Sequence, residues 1–238
     1  MITIFAVPMP FIGQDKISQH NAIKSWMRLE PRPEIILAGD DEGVADFAAD
    51  NGLRHAPGLG RTPDGYVSVQ SMFNIANREV RTDVVALVDS DIILMNDFAE
   101  TVAKYETASN FLLGGYRRAV QVPELLGFAP GWEQRLKDRV LSGGQVYKKE
   151  WGGGSDYHVY RSGLYVDSPD FSLGRGHWDG WVMWHALNEG CELIDCTDEI
   201  FAVHQNHPWR SWASGGNERN LALAEDKMSW VWNSTRKA

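Results

Sequence analysis

Two aspartates flank a serine at Asp89-Ser90-Asp91, directly after the apolar run Val84-Val-Ala-Leu-Val88. Carboxylates spaced in this way offer hard oxygen ligands to an ion such as magnesium or manganese. A solvated turn explains many such triplets. Here the preceding run and the following Ile92-Ile-Leu94 hold the acids at a strand end, which is where open α/β sheets bind ligands. A second group is His204-Gln-Asn-His207-Pro-Trp209, which follows the apolar Ile200-Phe-Ala-Val203. Imidazole can complete a divalent site that already bears carboxylates. At i, i+3 on an extended segment the two rings should point apart, and Pro208 biases His207 toward extended backbone. One histidine, not both, is then the expected ligand, and His204 leaves the apolar run directly. The third group is Gly174-Arg-Gly-His-Trp-Asp179-Gly-Trp, with Asp179 at a predicted helix start. The helix dipole favours the anion there, and an anion can act as a general base; the alternative is that Asp179 caps the helix.

The elements that must position these groups read as strand–helix alternation. Residues 2–7 and 34–38 read as buried strands. Between them, residues 16–29 form a helix on Ile17, Ile23, Trp26 and Met27, stopped by Pro31 and Pro33. Residues 42–50 suggest a second helix and 53–56 a short strand, before the Gly/Pro-rich loop 57–65. Val69, Met72, Phe73, Ala76 and Val80 then make one helical face. Residues 82–88 read as a buried parallel strand ending in the triplet, with a helix around Phe98, Val102 and Tyr105 after it. Further strands are expected at 111–113, 157–160, 164–166, 191–194 and 200–203. Helices are expected at 131–141, 178–188 and about 217–232, and the glycine-rich stretch 143–154 reads as a mobile loop. The fold class is therefore α/β, a single domain over 1–238 with a mixed, mostly parallel sheet flanked by helices. That domain divides into a half over about 1–110 and a half over about 111–238.

Composition narrows the function classes. The 238 residues are 43% hydrophobic and 23% charged, enough for a core without staples. A net charge of −9 has the wrong sign for holding phosphate backbones by counterion release, so no nucleic acid partner is expected. The first 110 residues carry 9 basic and 16 acidic side chains, so a phosphate bound there needs a cation. Cys191 and Cys196 are spaced for opposite faces of a strand, which argues against a disulfide and for a reducing, cytoplasmic setting. No apolar run reaches 18 residues and the N-terminus lacks a signal-peptide pattern, so no transmembrane segment is expected. Work at the membrane periphery stays compatible with this. Nine of the ten tryptophans fall at or after Trp132, which suits either sugar stacking or a second half that needs large side chains for its core.

Taken together, the Asp-x-Asp after the fourth strand, the glycine-rich stretch, the acid opening a later helix and the terminal histidine resemble glycosyltransferases of the A-type fold. The resemblance covers about residues 1–210 as an order of motifs. It implies a Rossmann-like domain, a nucleotide-diphospho-sugar donor (UDP- or GDP-linked), a saccharide or other hydroxyl acceptor, and Mn2+ or Mg2+. It also implies site roles. Pro8 and Asp40 would line the nucleotide base, Asp89 would face the ribose or sugar, and Asp91 would bind metal with His204. Arg61 and Asn74 would touch the diphosphate or sugar. Asp179 would be the base of an inverting transfer, with His177, Trp178 and Trp181 where the acceptor docks. A departure is the single acid in Trp178-Asp179-Gly180, where many inverting members carry two, which leaves the stereochemistry open.

Three rivals remain. A sugar-phosphate nucleotidyltransferase also pairs a divalent ion with strand-end acids, but would carry a glycine-rich loop and a lysine where this chain has Pro8-Met-Pro-Phe-Ile-Gly-Gln14. A non-catalytic carbohydrate-binding protein would explain the tryptophans only. A metal-dependent hydrolase would be built on His204 and His207. Oligomeric state is not encoded in any of these features.

Overall fold

The computed structural model describes residues 1–143, 145–146, 155–207 and 216–229. The glycine-rich stretch lies largely outside these residues, as do Trp151, Trp209, Trp212, Trp230 and Trp232.

A central sheet of seven strands has the order β10-β6-β9-β4-β1-β2-β3. Its members are β1 (Ile2–Ala6), β2 (Glu34–Ala38), β3 (Arg54–Ala56), β4 (Val84–Val88), β6 (Phe111–Gly114), β9 (Tyr157–Arg161) and β10 (Glu192–Asp195). All run the same way except β9, which is antiparallel to both β4 and β6. Helices α1 (Gly13–Trp26), α2 (Val44–Asp50) and α4 (Asn96–Ala103) cover one face. The other is covered by α3 (Val69–Glu79), α6 (Trp178–Asn188) and α7 (Asn217–Ala224). Side chains alternate accordingly: Val84, Ala86 and Val88 of β4 face the first layer, Val85 and Leu87 the second.

A smaller sheet, β5-β11-β7-β8, stands beside the carboxyl end of β4. It joins β5 (Ile92–Ile93), β11 (Val203–Gln205), β7 (Arg118–Val120) and β8 (Gln145–Val146), and packs under α5 (Trp132–Gly143) through Val120, Val122, Leu136, Val140 and Val203. Trp26, fully buried on α1, donates its indole N–H to Ile92 O at 2.8 Å and so ties α1 to this sheet.

The structure departs from the sequence reading in places. Residues 164–166 form no strand; Tyr165 enters the core from a turn, stacked on Phe73, and its burial mimics a strand residue. Helix α1 starts and ends three residues early, because Arg28 and Leu29 close i, i+3 turns ahead of Pro31. Among the described residues α7 stops at Ala224, where Glu225 turns to a positive φ of 52°. The expected strand at 200–203 shifts to β11, since its ladder partners are β5 and β7. Cys191 and Cys196 are buried, free, and lie in the cores on opposite faces of the sheet.

Candidate functional site

Chain order reverses between β4 and β1, so the crevice at their carboxyl ends is the topological switch point of the sheet. The triplet stands there. Asp89 N–H donates to Asp156 O at 2.9 Å, extending the β4–β9 pairing by one residue, and Ile92 N–H turns back to Asp89 O. Buried Ser90 donates its hydroxyl to Gln19 Oε1 at 2.8 Å, while Gln19 also bonds both backbone groups of Met9. One α1 side chain thus fixes the ends of β1 and β4 together.

Asp91 meets both histidines. The antiparallel pairing of β11 with β5 sets His204 opposite Ile92, one residue from Asp91. The chain leaves β11 after Gln205 and bends, which returns His207 to the same point. His204 Nε2 and His207 Nε2 each lie 3.3 Å from Asp91 Oδ2, and the three ligand atoms fall within 4.8 Å of one another. This corrects the expectation of diverging rings, which assumed a continuous extended segment. Buried Gln205 holds the bend. It donates to Ser18 O at 2.8 Å and to Asp91 O at 2.9 Å, and accepts from buried Asn21 at 3.0 Å. Burial alone would raise the Asp91 pKa, but the adjacent imidazoles outweigh it and keep the carboxyl well below the usual carboxylate range. Two imidazole nitrogens and an anionic oxygen, all partly exposed on one side of a cleft, are a donor set that suits manganese and similar divalent ions.

Next to this trio lies a group that the sequence reading did not contain. Asp156, immediately before β9, pairs with the guanidinium of Arg117 from the β6–β7 link. Asp89 is open to solvent along the cleft yet ringed by protein. Burial pushes its carboxyl well above its ordinary range, and the Asp156, Asp91 and Asp179 charges add to this. Asp179 is partly buried in the first turn of α6. It is not the cap; that position is His177. Burial, then the charge of Asp156, raises the Asp179 carboxyl to about 8 against the opposing pull of Arg117. Burial also holds His158 neutral, pushed down to about 4. Its ring sits edge-on to Trp178 at 6.3 Å, which brings the start of β9 beside the start of α6. The available signal for Asp156 was an acid directly before a strand and after a glycine-rich stretch. Arg117 gave none, since β7 is three residues long.

The remaining predicted residues are spread more widely. Pro8 is buried just past β1. Exposed Asp40 lies two residues past β2 and accepts from Gly58 N–H at 2.7 Å, and exposed Arg61 pairs with Asp41 at 3.1 Å and bonds Gly65 O. Asn74 is on the exposed side of α3. His177 is half-buried at the mouth of α6. Trp178 and Trp181 are corrected: they are 6% and 4% exposed, and Trp181 packs on Phe171 and His185, so their rings build the core and present no stacking surface.

No protein-family model matches the chain, and no curated protein matches it in sequence. Solved structures do. The chain superposes on S. aureus TarS 1-349 in complex with UDP-GlcNAc with a TM-score of 0.61 at 14% identity, over 95% of this chain and 66% of that one. Against a second TarS 1-349 structure the TM-score is 0.55 at 11% identity, over 86% and 60%. For M. tuberculosis glucosyl-3-phosphoglycerate synthase in complex with Mn2+, UDP and phosphoglyceric acid it is 0.55 at 13% identity, over 95% and 78%. The chain therefore spans three fifths to two thirds of the TarS structures. With its reversal at β4–β1, its single antiparallel β9 and helices on both faces, the chain has the A-type fold of nucleotide-diphospho-sugar glycosyltransferases.

Proposed function

We propose that the protein is a metal-dependent glycosyltransferase that moves a sugar from a nucleotide-diphosphate donor to a hydroxyl acceptor, a saccharide being the favoured class. The observation that carries this reading is the Asp91–His204–His207 trio at the switch point, with Asp179 across the same cleft. A UDP-sugar is favoured over a GDP-sugar by the neighbours, which hold UDP-GlcNAc or UDP with Mn2+. A divalent ion held by the trio would neutralise the diphosphate as it leaves the anomeric carbon.

The chain's own residues then divide the work. Asp89 faces the ribose or sugar, and Pro8 and Asp40 line the base, with Arg61 and Asn74 the candidates toward the diphosphate. As the acceptor oxygen bonds to the anomeric carbon and the carbon–oxygen bond to diphosphate breaks, Asp179 Oδ takes the acceptor's proton. A base acting opposite the leaving group gives inversion. His177 is the remaining acceptor-side candidate once Trp178 and Trp181 are assigned to the core. No described helix is long and apolar enough to cross a membrane.

The test is the thermal midpoint with UDP, GDP, CDP and ADP, each with manganese and with chelator, because a ligand specific to the native state raises the midpoint by mass action. A rise with UDP that chelator abolishes is expected, together with its loss in Asp91→Ala at an intact fold. No rise with any nucleotide, or an equal rise in Asp91→Ala, refutes the assignment.

A further inference from the structure

The turn that presents Asp179 is strained. His177, immediately before α6, has φ 79°, a left-handed conformation that residues with a side chain rarely adopt. Such turns persist where the surroundings over-determine them. Here the surroundings are α7. Asn220 is fully buried, accepts from Ser172 N–H at 2.8 Å, and donates its amide to Ser172 O at 3.0 Å and Gly176 O at 2.9 Å. Asn217 Oδ1 accepts from Gly176 N–H at 2.8 Å. Past the helix, Ser229 N–H donates to Gly180 O at 2.9 Å, so the grip spans both sides of Asp179.

The gripped segment is tied in turn to the loop before α3. Ser172 Oγ bonds both oxygens of Asp64 at 3.1 and 3.2 Å, and Arg219 of α7 bonds Asp170 O and Oδ2 at 2.9 and 2.8 Å. The approach is close enough to require glycine at the head of α7. Gly216 has φ 88°, and a Cβ there would lie 2.8 Å from Arg175 Cγ. None of these bonds is needed to fill the apolar core. Together they fix both backbone groups of Ser172 and of Gly176, at each end of the five residues that lead into His177.

We propose that Asn220 and Asn217 are positioning residues: α7 acts as a clamp that holds His177 in its left-handed turn and thereby aims Asp179 at the acceptor hydroxyl. The inference rests on the reading of Asp179 as base. It implies that turnover depends on a donating amide at residue 220 and an accepting oxygen at residue 217, both on α7.

The two asparagines differ in what they supply, which gives the test its contrast. Asn220 must donate, so Asn220→Asp sets a carboxylate against the carbonyls of Ser172 and Gly176. Asn217 accepts from Gly176, so Asn217→Asp keeps that bond and Asn217→Ala loses it. Asn220→Asp should lower kcat about 100-fold, the scale of an ångström's misplacement at a reacting group, while donor KM and the nucleotide-induced midpoint shift hold within about 3-fold. Amide exchange over residues 172–181 should rise in the same variant. Asn217→Asp should keep wild-type turnover and Asn217→Ala should lose about 10-fold. Wild-type kcat and exchange in Asn220→Asp, or Asn217→Asp falling as far as Asn217→Ala, overturns the clamp. If Asn220→Asp does not fold, the Asn217 pair decides. Asp179→Asn run alongside separates the two ideas: turnover near wild type there removes the base, whereas the exchange measurement still judges the clamp.

Discussion

At the scale of single residues, Asp179 and Asp91 show how one cleft keeps two carboxyls in opposite protonation states. Asp91 lies against two imidazoles and stays ionised, as the proposed role of metal ligand requires. Asp179 has the burial without the cationic neighbours, apart from Arg117, whose charge is largely taken up by Asp156. Its carboxyl is raised to about 8 and so holds its proton through most of the neutral range. A base must be ionised to act, which gives a signed expectation. In wild type, kcat/KM should climb with pH through 7 and level off above about 8. Asp179→Asn should lose at least about 100-fold of kcat and, with it, this limb. A profile that is flat between pH 6 and 9 in wild type, measured at saturating manganese, contradicts the assignment.

At the scale of elements, the site depends on a sheet of two- and three-residue strands that no local propensity would specify. Gln205 is its keystone, because its amide joins β11 to α1 and to the backbone of Asp91. Gln205→Leu keeps the volume but removes the bonds to Ser18 O and Asp91 O and one of the two that the Asn21 amide donates, at about 1–3 kcal/mol for each buried group left unpaired. The variant should melt earlier and bind manganese at least about 10-fold more weakly by titration, the usual cost of losing support behind a metal ligand. Unchanged manganese affinity in a folded Gln205→Leu would separate β11 from the metal trio. The same short strands explain what could be read in advance. The triplet and Asp179 adjoin long apolar runs, so their places at a strand end and a helix start followed from patterning, as did the helix face of Val69, Met72, Phe73 and Ala76, whereas His204 falls inside β11 and not after a strand over 200–203. The convergence of His207 on Asp91 depends on a bend after β11, and the Asp156–Arg117 pair depends on β9 entering the sheet between β4 and β6. Both are long-range pairings that leave no period in the sequence. Trp178 and Trp181 misled for a related reason: a ring that would stack on a sugar and a ring that fills a core have the same composition signature.

For the whole molecule, the net charge of −9 and the four carboxylates of Asp89, Asp91, Asp156 and Asp179 around one cleft have a single physical consequence. The native state is held under electrostatic tension there, which a bound cation or a proton relieves. The proton's part can be signed. The Asp179 carboxyl rises from 3.8 unfolded to about 8 folded, so between those values the native state carries a proton that the unfolded chain has released. Stability from this group is therefore full below about 4 and declines as pH rises to about 8. His158, with a folded value of about 4 against 6.5, acts in the opposite window: it removes stability as pH falls from 6.5 toward 4. Asparagine at 179 has the shape of the acid without the charge. Asp179→Asn should thus be more stable than wild type at pH 8 in the presence of chelator, by at least about 2–4 °C, the shift that ~1 kcal/mol gives in a chain of this size. The gain should shrink as pH falls below 4, where wild-type Asp179 becomes protonated in both states. A variant that melts earlier than wild type at pH 8, or whose advantage does not depend on pH, would mean that Asp179 is not held under this tension. A cleft that costs stability in this way fits a site kept for its chemistry at the expense of the fold.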